Sequence, residues 1–65
     1  MTKLESFEKL PIEKQESIIN AGLSEFSSKT YTEASTDLIV ATCDISKGLL
    51  FYYFGSKRNF YLYCF

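Results

Sequence analysis

The chain has 65 residues, 46% of them hydrophobic, with two cysteines and neither histidine nor tryptophan; that is one small domain, and at this size only about 60% of the unfolded surface is hidden, near the lower limit for folding unaided. Two cysteines make no disulfide framework and the lack of histidine removes Cys/His zinc sites; the charged opening MTKLESFEKL has no apolar signal core, and the longest apolar runs, 49–54 and 60–65, are six residues each, far below the roughly 20 of a membrane span, so the chain reads as soluble and cytoplasmic with free thiols. Net charge is −1, yet positions 1–45 hold four lysines and all eight acids while 46–65 hold Lys47, Lys57 and Arg58 and no acid, an asymmetry that suggests an anionic partner for the C-terminal part.

Residues 1–10 mix charges of both signs and are read as an N-terminal arm. From Pro11 to about Lys29 the pattern is helical. Proline suits a first helical position, where its missing N–H would be unpaired anyway, and Glu13 and Glu16 place negative charge where the helix dipole favours it. Ile12, Ile19, Leu23 and Phe26 fall on one apolar stripe, so one face is expected to be buried. Gly22 inside this helix costs roughly 1 kcal/mol relative to alanine, which fits a helix if another backbone passes close there.

Ser27 to Ser35 is rich in Ser and Thr, carries a lone Tyr31, and reads as a loop. A short helix follows, with Ser35 or Thr36 as its N-cap, Asp37 in its first turn and Leu38 to Ala41 behind. Asp44 is one of the few non-glycine types that tolerates a left-handed turn, and Ser46 can cap the next segment, KGLLFYYF. Two short helices three or four residues apart form a helix-turn-helix. Gly55 can close the second of them and Ser56 can cap a last helix, KRNFYLYCF.

Eight of the eleven aromatic residues lie in the last fifteen positions. Phe51 and Phe54 are assigned to the core with Ile39, Leu23 and Phe26, and Cys43 to a small buried hydrophobe. Tyr52 and Tyr53 point about 100° apart, so at least one hydroxyl lies outside. The stripe Phe60, Tyr61, Cys64, Phe65 meets nothing else in the chain and reads as the start of a helix that continues into a longer protein.

The stretch from Ser35 to Lys57, STDLIVATCDISKGLLFYYFGSK, resembles the helix-turn-helix signature of the tetracycline-repressor (TetR) family of bacterial transcription regulators, approximately I-A-x-x-A-G-V-S-K-G-x-L-Y-x-H/Y-F-x-S-K. Ile39, Cys43, Ile45, Ser46, Lys47, Gly48, Leu50, Phe51, Tyr53, Phe54, Ser56 and Lys57 carry the likeness, and I-x-x-A-G-L-x-x-F (Ile18 to Phe26) with Tyr31 is similar to the preceding part. It departs from the pattern at Asp44, where glycine is usual, and at Phe51, where tyrosine is commoner. The resemblance implies an all-α, homeodomain-like fold. Its three-helix bundle with helix-turn-helix would span residues 11–55, with the start of a fourth helix at 56–65 leading to a larger C-terminal domain for ligand binding and dimerisation.

The same resemblance implies that Ser46, Lys47, Gly48, Leu49 and Tyr52 enter the major groove of a double-stranded DNA operator, while Thr36, Tyr53 and Lys57 hold phosphates. Elementary chemistry agrees. A helix of about two turns fits a major groove, lysine can donate to guanine O6 or N7, leucine can pack on a thymine methyl, and glycine lets the backbone come close. The function expected is a sequence-specific DNA-binding domain of a repressor; the resemblance implies a homodimer in the full-length protein and a small-molecule inducer only where the C-terminal domain is present. The alternative is a protein-interaction module docking through its C-terminal aromatic helix. With no histidine, no Gly-rich phosphate loop and no carboxylate pair beside a nucleophile, an enzyme is not expected and no cofactor is implied.

Overall fold

Short-range punctuation sets the helix boundaries. The computed structural model describes residues 3–65, and its elements are α1 (Leu4–Glu8), α2 (Ile12–Ser28), α3 (Thr36–Cys43), α4 (Lys47–Phe54) and α5 (Lys57–Cys64); among the described residues there is no strand. Three serines start three helices in the same way. The hydroxyl of Ser35 accepts from the Leu38 N–H at 3.2 Å, that of Ser46 from Leu49 at 3.1 Å and that of Ser56 from Asn59 at 3.1 Å, each satisfying one of the amide donors that a helix start leaves unpaired. Asp44 ends α3 in the left-handed region, φ 59° and ψ 47°, and Gly55 ends α4 at φ 89°. Pro11 stands one position earlier than expected, as the N-cap of α2.

The buried face of α2 differs from the expected stripe. Ile18, Ala21, Gly22 and Phe26 are buried, Ile19 is half-buried, and Ile12 is 65% exposed. Counting bulky apolar residues favours Ile12 and Leu23, but it is Gly22 that lets α5 come close. The Phe60 ring lies over Gly22: a methyl group added there would stand 2.6 Å from ring carbons of Phe60 and 2.8 Å from Cys64 Sγ. Gly22 is therefore required by a close approach, as anticipated, but of side chains and not of a backbone.

Phe60 also corrects the reading of the C-terminal stripe as unmatched within the chain. It is fully buried, with ring centroids 4.9 Å from Phe54 and 6.0 Å from Phe26, while Tyr61 and Cys64 pack on the same core. Only Leu62, Tyr63 and Phe65 remain outside. On α4 the inward face is Leu50, Tyr53 and Phe54, the i, i+3, i+4 set of a helix; Phe51, expected in the core, lies about 100° round from Leu50 and is half-buried.

Residues 1–10 are also more than an arm. Met1 and Thr2 lie outside the described residues, but Leu4–Glu8 is helical and Phe7 is buried, its ring 4.9 Å from Phe54 and 5.7 Å from both Tyr53 and Tyr63. The Lys3 N–H donates to the Tyr52 carbonyl at 3.3 Å, satisfying one of the acceptors that the end of α4 leaves free. Gln15 pins the link to α2, its side-chain amide donating to the carbonyls of Glu8 and Leu10. Thus α1 clasps the rear of α4.

Candidate nucleic-acid interface

The three residues Asp44, Ile45 and Ser46 turn α3 into α4. Ile45 is half-buried against the core and its N–H returns to the Val40 carbonyl at 3.1 Å. The ammonium of Lys14 donates to the Cys43 carbonyl at 3.4 Å, placing a cation where the end of α3 concentrates negative charge. The turn is held from both sides, so the start of α4 is fixed relative to α3.

The residues expected at base edges fall at this fixed start and along the same helix. Ser46, Lys47 and Gly48 are exposed, Leu49 is half-buried and Tyr52 is 51% exposed. Nothing lies within 4 Å of the point where a side chain at Gly48 would begin. Unlike Gly22, Gly48 has no partner inside the molecule to explain it. Gly48→Ala is expected to leave the fold intact or to stabilise it by a few tenths to about 1 kcal/mol through helix propensity; with Gly48 at a base edge, as the resemblance implies, the new methyl group would occupy the approach and weaken duplex binding several-fold. A urea melt and a binding titration on the same sample check the opposite signs; a variant that loses both stability and affinity refutes this.

The phosphate candidates are less uniform. Thr36 is the first residue of α3, half-buried, with Ser35 and not Thr36 acting as the cap. Lys57 starts α5 and is half-buried, its ammonium 4.7 Å from the centre of the Tyr31 ring. Glu25 links these neighbours: its carboxylate accepts from Lys29 at 2.7 Å and from the Ser35 N–H at 2.8 Å. Those two bonds, with a smaller field from Lys57, hold its carboxyl below the ordinary value. Tyr53 departs from the expectation of a phosphate-holding surface residue. Its ring is buried against Phe7, because α1 covers that side of α4, so at most the hydroxyl end is left for a phosphate.

Two features of the site were missed by the sequence reading. Asp37 Oδ1 lies 3.2 Å from Lys47 Nζ, a pairing between helices that no local pattern shows. The Tyr31 face under Lys57 is of the same kind, since 26 positions separate the two. The thiols stay out of the site. Cys43 Sγ donates to the Ile39 carbonyl at 3.2 Å and burial pushes its pKa up, while burial pushes Cys64 up to about 11, so both are protonated at neutral pH. Among the described residues no group of three or more His, Cys, Asp or Glu side chains comes together to hold a metal ion.

No curated protein and no solved structure matches the chain. A sequence model of the family described as bacterial regulatory proteins, tetR family, matches residues 18–64, which takes in α2 from Ile18 onward, the α3–turn–α4 unit and α5. With well over half of its length matched, the chain belongs to the tetR family of bacterial regulatory proteins, and α3–turn–α4 is the helix-turn-helix of the DNA-binding domain of a transcription regulator.

Proposed function

We propose that this domain binds an operator sequence-specifically and serves a cytoplasmic repressor, with Ser46, Lys47, Gly48, Leu49 and Tyr52 toward base edges and with Thr36, Lys57 and the hydroxyl of Tyr53 toward phosphates. The observation that carries the reading is the open space at Gly48 beside Lys47 on the exposed first turn of α4. Recognition helices present this end to the major groove. Specific occupancy calls for two copies on half-sites about one or more helical turns apart, hence a homodimer in the complete regulator, and an inducer would act on a further domain outside these 65 residues.

The test is fluorescence anisotropy of labelled duplex DNA titrated with the 65-residue chain. Binding is expected to weaken steeply with salt, with dissociation constants of order 10⁻⁴ to 10⁻⁶ M for random sequence at physiological ionic strength. A chain that shows no salt-dependent binding at low ionic strength overturns the proposal. A second reading, an interaction module docking through α5, is favoured by one observation: Leu62 on that helix and Phe65 just past its end are 58% and 68% exposed. A purely monomeric mass in light scattering at high concentration argues against it.

A further inference from the structure

We infer that Asp37 is a specificity-determining residue of the interface, acting by holding the Lys47 ammonium away from the DNA backbone; the inference rests on the DNA-binding reading of α4. Lys47 is the first residue of α4 and Asp37 the second of α3. A helix start carries partial positive charge and disfavours a cation, so the ammonium gains from a carboxylate brought to it by the neighbouring helix. The two side chains are 52% and 78% exposed. An exposed pair of this kind contributes little to folding stability, and its consequence lies in what it does to Lys47.

A lysine at this position has two ways to meet a duplex. Donating to a phosphate adds affinity for every sequence and releases a counterion; donating to guanine O6 or N7 adds affinity only where that base stands. With Asp37 Oδ1 at 3.2 Å from its nitrogen, the ammonium is drawn toward the first turn of α3 and its charge is offset, which weakens the first mode. A phosphate drawn to Lys47 must also approach the Asp37 carboxylate, whereas a guanine edge is neutral and carries no such repulsion. Asp37 thus lowers sequence-independent binding more than sequence-dependent binding.

The test uses a fluorescein-labelled duplex of random sequence, titrated at several salt concentrations with the wild-type chain, Asp37→Asn, Lys47→Ala and the double variant. Asp37→Asn is expected to tighten random-sequence binding by up to about fivefold, the equivalent of releasing one exposed ion pair. It should also steepen the dependence of log K on log salt by about 0.9, one further phosphate contact. In the Lys47→Ala background the same substitution should leave the slope nearly unchanged, because there is no ammonium to release. An equal increment in both backgrounds would show only the loss of a negative charge and overturn the inference, as would unchanged or weaker binding by Asp37→Asn. If the wild-type chain itself shows no salt-dependent binding, the DNA-binding reading falls and this inference with it; if the wild type binds and only the Asp37 comparison fails, the inference alone falls.

Discussion

Phe60→Ala is expected to leave the domain largely unfolded. Truncating a fully buried phenylalanine costs about 3–5 kcal/mol, against a total of about 5–15 kcal/mol for a native domain, and a chain of this size stands at the low end of that range. Phe60 is the point at which α5 meets both α2 and α4: its ring touches Phe26 and Phe54 and lies on the bare backbone of Gly22. Gly22 has no side chain that could move into the space left, so the cavity is not easily closed. Urea denaturation followed by far-UV circular dichroism should show a midpoint lost or greatly lowered. Phe65→Ala, at a residue 68% exposed, should fall within about 0.5 kcal/mol of wild type. Should Phe60→Ala melt like Phe65→Ala, α5 is not part of the folding unit and the C-terminal stripe is an unsupported surface after all.

The local signals were legible in the sequence and the long-range ones were not. Ser35, Ser46 and Ser56 identify three helix starts because a cap acts over three residues, and Asp44 and Gly55 identify two helix ends because few residues accept a positive φ. Those five positions alone place the helix-turn-helix. The face of α2 was misjudged because apolar bulk at Ile12 outweighs Ala21 and Gly22 in any pattern, whereas packing against α5 depends on the bare backbone of Gly22. Phe7 is one aromatic among charges, and nothing near it in the chain announces that it closes over Tyr53 and Phe54. The same limit applies to the site. Exposure of Lys47, Gly48 and Tyr52 follows from helix geometry once α4 is placed, but the Asp37–Lys47 pair and the Tyr31–Lys57 contact exist only because separate elements converge.

Alanine at Lys57 and at Lys47 should separate affinity from specificity. Lys57 has its ammonium over the Tyr31 ring, an arrangement worth about 0.5–1 kcal/mol at exposed sites that holds the head in place without neutralising it. The Glu25 carboxylate, bonded to Lys29 and the Ser35 N–H, feels only a smaller field from Lys57, so most of the ammonium's charge remains available to a phosphate and Lys57→Ala should weaken binding to every duplex alike and lower the magnitude of the salt slope by about 1. Lys47 is offset by Asp37, so its removal should change the slope on random DNA much less than removal of Lys57 does. On a duplex obtained by selection from a random pool, however, Lys47→Ala should lose a base contact worth about 1–3 kcal/mol and relax the preference at one position. Anisotropy titrations of both variants against the selected and a scrambled duplex measure the four affinities. Equal losses on both duplexes for both lysines would refute the division of labour. The contrary pattern, with Lys47 dominating the salt slope, would mean that the carboxylate 3.2 Å from its ammonium releases it on contact with the backbone, and that phosphate contact is the principal role of the first turn of α4.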